Sequence, residues 1–261
     1  MLLGIDHVVV AVSDLAMAAR ELEESVGMAA TGGGRHPALG TANRLAWLGD
    51  TYVELVTVDD EAIAARSWLG GPVMDALADG GGFVTWAVAS DDLDRDVASF
   101  RTLGADYGDP FDGERRRLDG EIVRWRLAIP SRLGPAEPPF LIEHDPTSAE
   151  WQPADRAART AQIHPIGGQD GAMGPVRLDV LELPTGSVPA TIQRLTRALG
   201  LQFRPSLSGG GARDANIGSQ TLRLRPSRGA STGPGIHLAS PAAIDRSVEA
   251  FGCRWVLRPS R

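Results

Sequence analysis

Short apolar blocks rich in β-branched residues recur along this chain, each followed by a helix-capping pair and an amphipathic segment. Residues 5–12 (IDHVVVAV) predict a strand. Alternation along it places His7 on one face with Ile5, Val9 and Ala11. Ser13-Asp14 is a good N-cap pair, and residues 16–26 bring Ala19, Leu22 and Val26 to helical spacing before Gly27 stops the turn. Residues 28–31 predict a short strand that Gly32-Gly33-Gly34 breaks. Residues 44–48 and 51–58 flank a Gly49-Asp50 turn and predict a hairpin. The order is strand, helix, then about three strands.

That order returns. Residues 83–89 (FVTWAVA) predict a strand, Ser90-Asp91-Asp92 a cap, and residues 93–103 a helix ended by Gly104. Arginine-rich strands at 114–118 and 121–129 follow, separated by Asp119-Gly120, and residues 140–144 (FLIEH) close the unit. A weaker third copy has a strand at 176–183, a helix at 188–199, and a hairpin at 215–218 and 220–225. A truncated fourth has strands at 235–239 and 255–257 around a helix at 242–251. Residues 59–82 predict one or two short helices. The organisation expected is a first region of two units (1–58 and 83–146 within 1–146), a polar linker at 147–174, and a degenerate repeat region at 175–261. Repetition of such a unit implies sheets that pair to bury a shared face.

Composition narrows the chemistry. The chain has 261 residues, is 43% hydrophobic and carries a net charge of −7, an ordinary globular balance that argues against nucleic acid or acidic membranes as partners. No apolar run is long enough to span a bilayer and no signal peptide is expected, so the cytoplasm is the default location. A lone cysteine, Cys253, excludes an internal disulfide. Lysine is absent altogether, which removes Schiff-base catalysis and the P-loop lysine; no nucleotide cofactor is expected.

Three side chains are out of place in their apolar strands: His7, Glu54 and Glu143. The two carboxylates occupy matching closing strands, YVEL and FLIEH. A carboxylate in an apolar strand is costly to bury unless paired or metal-bound. One histidine with two carboxylates and open positions would suit Mn, Fe, Ni, Co or Zn. The alternative is a satisfied core histidine and two carboxylates at sheet edges. Residues 31–44 read as a loop carrying Arg35, His36, Thr41 and Asn43, donors able to hold an oxyanion or carboxylate or to cap backbone groups. His36 is the candidate acid/base, and Glu54 the base if no metal binds. Trp47, Tyr52 and Trp86 suit a core or pocket wall. Arg115, Arg116, Arg117, Arg124 and Arg126 form either a solvated sheet face or, for one of them, a clamp on an anionic substrate inside the fold.

The segments IDHVVVAVSDL, RHPALGTANRLAWLG and YVELV resemble the glyoxalase-like domain branch of the vicinal oxygen chelate superfamily, with PPFLIEHD a weaker match. The resemblance implies an α+β fold of βαβββ modules whose mixed sheets pair into a cup-shaped half-barrel, within one chain or between two in a homodimer. It implies metal ligands from first and last strands, here His7, Glu54 and Glu143. The fourth position falls at Thr85 or Trp86, neither a useful ligand, and His144 is expected on the face opposite Glu143. The function implied is a metal-dependent lyase or isomerase acting on vicinal oxygens of a small molecule, with Glu54 or Glu143 moving the proton. A metal-free binding protein of the antibiotic-sequestering type and a ring-cleaving dioxygenase are the alternatives.

Overall fold

The computed structural model describes residues 1–160, 164–165, 172–173, 176–227, 233–241 and 245–260. The opening strand is β1 (Leu2–Ala11). Helix α1 (Leu15–Glu21) starts where the Asp14 carboxylate accepts the amides of Ala16 and Met17. The helix widens into a π turn over Leu22–Val26 and ends at Gly27, whose φ of 87° suits glycine. Then come β2 (Gly32–His36), β3 (Thr41–Leu48) and β4 (Thr51–Val58).

The triple glycine therefore begins a strand, while residues 28–31 are irregular. The reason is crowding. A β-carbon on Gly33, which has φ 135°, would lie 2.3 Å from the Asn43 carbonyl oxygen, and one on Gly34 would lie 2.2 Å from that of Arg116. Only glycine lets β2 fit between its neighbours. Residues 31–44 are thus a hairpin rather than a loop.

Two short helices, α2 (Glu61–Ala64) and α3 (Gly70–Ala78), lead into the second module: β5 (Gly82–Ser90), α4 (Leu93–Thr102), β6 (Phe111–Arg117), β7 (Ile122–Ala128) and β8 (Phe140–His144). The two modules form one closed barrel in the order β1-β4-β3-β2-β6-β7-β8-β5. Each module has its first and last strands parallel, and the modules meet antiparallel along β1/β5 and β2/β6. The α+β architecture of paired βαβββ modules is as expected, and the sheet closes within one chain. Inside, Val9, Ala11, Val56, Leu127 and Ile142 pack with Leu69 and Val73 from the α2–α3 segment, which plugs one end.

After α5 (Pro153–Thr160) and a two-stranded pair of β9 (His164–Pro165) and β10 (Ala172–Met173), the third copy is β11 (Arg177–Thr185), α6 (Val188–Leu199), β12 (Arg204–Pro205), β13 (Arg213–Ile217) and β14 (Gln220–Pro226). The fourth is β15 (Gly235–Ser240), β16 (Arg246–Ala250) and β17 (Cys253–Pro259). They form one open sheet, β12-β13-β14-β11-β15-β17-β16, repeating the barrel's order. The helix expected at 242–251 is not formed: residues 246–250 are β16, paired antiparallel with β17, and 242–244 lie outside the described residues. Ladder pairing outweighs the helical spacing of that stretch.

The outward side chains of the barrel, among them Val8, Val10 and Leu55, share one core with Leu181, Leu222 and Trp255 of the open sheet. Gln220 enters the back of β1, accepting the Ile5 amide (3.0 Å) and donating to the Ile5 carbonyl (3.2 Å) and Thr51 Oγ1 (3.0 Å). Among the described residues no helix is long and apolar enough to cross a membrane.

Candidate functional site

The β1/β5 ladder shifts register between Ile5 and His7, and at this irregularity Asp6 is buried together with His7. The Asp6 carboxylate lies 2.6 Å from His7 Nδ1 and 2.9 Å from Nε2 of His144 on β8. Burial works against its charge, but His144 and His7 together hold it well below the usual carboxylate range. An ionised carboxylate only accepts, so both histidines donate to it. His7 therefore keeps its Nδ1 proton on Asp6 and turns Nε2 into the barrel. His144 is left with a buried Nδ1 that has no partner.

Opposite His7 Nε2, at 3.7 Å, stands Oε2 of Glu54, a residue only 5% exposed. Its other oxygen accepts from Asn43 Nδ2 at 2.6 Å. The Gly34 amide in turn donates to Asn43 Oδ1 (2.9 Å), which fixes the orientation of that amide group. Glu54 thus presents one held oxygen and one open one. The His7 ring stacks on Tyr52 (4.4 Å between centroids, 13° between planes), and burial pushes the Tyr52 hydroxyl well above its ordinary pKa. His36, 3.1 Å from Thr41 Oγ1 and edge-on to Trp125, is pushed down to about 4 by burial.

These groups line a cavity of about 50 Å³ walled by Trp47, Trp68, Trp125, Phe140 and Trp151. Trp151 comes from the segment after β8 and stacks on His144, with 3.5 Å between ring centroids. Arg115 of β6 faces the same cavity, 3% exposed, and pairs with Glu150.

Of the residues singled out from sequence, His7, His36, Asn43, Trp47 and Glu54 meet at this cavity. Thr41 stands behind it as the partner of His36. Arg35 does not reach it: exposed to solvent, it pairs with Asp59 through Nη1 (2.6 and 2.5 Å to the two oxygens). Glu143 does not reach it either. Its Oε2 accepts the Leu93 amide at the start of α4 (3.2 Å) and lies 3.7 Å from Arg126. Alternation on β8 thus runs opposite to the expected sense, and His144 faces inward. Sequence reasoning also passed over Asp6 and Glu150; the IDH triplet was the only local signal for Asp6.

The three-ligand metal set is therefore not assembled. His7 Nε2 and Glu54 supply two donors, Glu143 points away, and His144 commits its Nε2 to Asp6. Among the described residues no three His, Cys, Asp or Glu side chains are arranged to hold a metal ion. The residues do not fit the ion that the resemblance implies.

The βαβββ scaffold thus carries a closed two-module barrel with a buried cluster of titratable side chains and aromatic walls. Residues 5–171 match the model of the glyoxalase-like domain, and the chain belongs to that family. A hypothetical protein from Staphylococcus aureus shares the fold over 100% of both chains at 15% identity, with a TM-score of 0.79. Methylmalonyl-CoA epimerase from Mycobacterium tuberculosis aligns with 55% of this chain and 89% of its own at 21% identity and a TM-score of 0.41. That from Streptomyces coelicolor aligns with 55% and 99% at 19% identity and 0.40. No curated protein matches the sequence.

Proposed function

We propose that the barrel binds a small organic molecule with an acidic C–H next to a carbonyl, and that Glu54 removes and returns that proton. The observation that carries the proposal is the state of Glu54: buried among aromatic rings, one oxygen held by Asn43, the other facing His7 across 3.7 Å. A held carboxylate in a site sheltered from water is what proton transfer from carbon needs. Asp6 keeps the His7 ring oriented, so Nε2 can accept a proton from the substrate side and then hand it to a developing oxyanion. Asn43 holds the Glu54 carboxylate in line, and the Tyr52 ring holds His7 from the side. A metal-dependent lyase and a ring-cleaving dioxygenase are not part of this proposal, because among the described residues no three donors are arranged to hold a metal ion.

The aromatic walls favour one second reading, a binding protein that sequesters an apolar ligand without chemistry. One experiment separates the two. Small ketones and ketoacids are incubated with the protein in heavy water, and deuterium uptake beside the carbonyl is followed by NMR. The wild type exchanges at least one of them, and Glu54→Gln, nearly isosteric, slows that exchange by about 100-fold or more, the usual worth of a positioned base. Equal exchange by both proteins refutes the role of Glu54. Binding with no exchange in either supports the sequestering protein.

A further inference from the structure

Arg115 is the one cation among the described residues that the barrel cavity holds besides its histidines, and its surroundings are unusual. A guanidinium carries five N–H donors and is always charged, so burial requires several acceptors. Arg115 is 3% exposed and has one carboxylate partner, Glu150, through Nη2; its Nη1 is buried with no hydrogen-bond partner. The partner is itself held awkwardly. Glu150 adopts φ 71°, the left-handed region, although it is not glycine. It reaches Arg115 from the segment between β8 and α5, which is pinned at Ser148: its hydroxyl accepts the Arg124 amide at 2.8 Å. Directly after Glu150, Trp151 covers His144. A strained carboxylate thus lies on a cavity-lining guanidinium that still has an unused, buried donor, and the same segment supplies Trp151 to the cavity wall.

We propose that Arg115 is the anion-recognition group of the site and that the ligand is a carboxylate, whose carboxyl group replaces Glu150 on the guanidinium. This rests on the proposal that the barrel cavity is a small-molecule site. The incoming carboxylate uses both Nη1 and Nη2, a fork-to-fork pairing that Glu150 achieves on one side only. Release of Glu150 lets residue 150 leave the left-handed region and frees Trp151 to move off His144, enlarging the cavity as the ligand enters. Arg115 lines the same cavity as Glu54 and His36, and its charge helps burial keep His36 neutral.

Benzoate and its neutral analogue benzamide serve as probes, with tryptophan fluorescence and calorimetry as readouts on the full chain. Benzoate binds the wild type and benzamide binds at least about tenfold more weakly, as expected where one charge-assisted hydrogen bond is lost. Glu150→Gln removes the competing charge at nearly constant size and tightens benzoate by about tenfold while leaving benzamide unchanged. Arg115→Gln abolishes the preference for benzoate. Benzoate and benzamide binding alike, or benzoate failing to bind Glu150→Gln more tightly than wild type, overturns the proposal even if Arg115→Gln does not fold. The outcome is separable from that of the exchange experiment. Exchange of ketoacids by Glu54 with no dependence on Arg115 sinks this inference alone. Carboxylate binding that follows Arg115 and Glu150 without any exchange sinks the proton-transfer proposal alone.

Discussion

His36 titrates against the fold, and the cost can be worked out. Its ordinary pKa is 6.5, and burial pushes it down to about 4 in the folded chain. Above about pH 7 the imidazole is neutral in both states and contributes nothing to the pH dependence. Below that, the unfolded chain takes up a proton that the native barrel refuses, so stability falls as pH falls, by at most about 1.4 kcal/mol per unit. From about pH 7.5 to about pH 5 the integrated loss is about 2 kcal/mol, levelling off near 3 kcal/mol once the pH passes below the folded value. His237 on β15 is likewise pushed down to about 4, chiefly by burial, so the wild type should lose more than His36 alone accounts for. The perturbation is His36→Gln, which removes the titration and keeps a polar side chain beside Thr41. Urea unfolding, read by tryptophan fluorescence at several pH values, gives the slope of stability against pH for both proteins. Slopes are compared rather than levels, because the substitution also costs a fixed amount at every pH. The variant should lose about 2 kcal/mol less than wild type across the window. Parallel curves would show that His36 takes up its proton in the native state, and the argument for a neutral imidazole in the cavity would fail.

Two further predictions concern how the site is held. Gln220→Ala strands the buried Ile5 amide and should cost about 1–3 kcal/mol in urea unfolding, since an unpaired buried donor bears its full desolvation penalty; a loss below about 0.5 kcal/mol would mean that the open sheet does not anchor β1 through this side chain. Gly34→Ala drives a β-carbon into the Arg116 carbonyl, so the protein should melt at a clearly lower temperature or fail to accumulate. Gly71→Ala, where a β-carbon meets nothing within 4 Å, should match wild type, and equal melting of both variants would refute the close β2–β6 approach.

The sequence carried the elements well where local chemistry and pattern agree. Asp14 and Asp92 both cap the helices they were expected to start, and the YVEL strand stands as β4. The pairing of modules followed from the repeated order of elements. Three things were out of reach of local pattern. The parity of β8 was one: FLIEH alternates equally well with Glu143 or His144 inward, and the choice is made by the α4 amide at Leu93 and by Asp6, both distant in sequence. Gly33 and Gly34 were another, since their role lies in the backbones of β3 and β6 that press on them. The third was the edge strand β16, whose partner β17 decides what its own spacing does not. At the site, His7, Asn43 and Glu54 were legible because they are polar groups in apolar or glycine-framed segments. Glu150 was not, because nothing in its neighbourhood announces that it meets Arg115.

The closure of the barrel within one polypeptide bears on how such a site can change. Two identical half-barrels related by a twofold axis must present every inward residue twice, so any substitution is made in both halves at once. Here the halves are covalently joined, and each position can drift alone. The pseudo-twofold has been broken accordingly. One closing strand turns its carboxylate inward at Glu54, while the other turns Glu143 out to a helix terminus and offers His144 in its place. Across the β2/β6 seam from Arg115, the arginine of β2, Arg35, turns away from the cavity to Asp59. An asymmetric molecule, acidic at one end and reactive at the other, needs an asymmetric receptacle. Duplication inside one chain is the route by which a symmetric scaffold can acquire one.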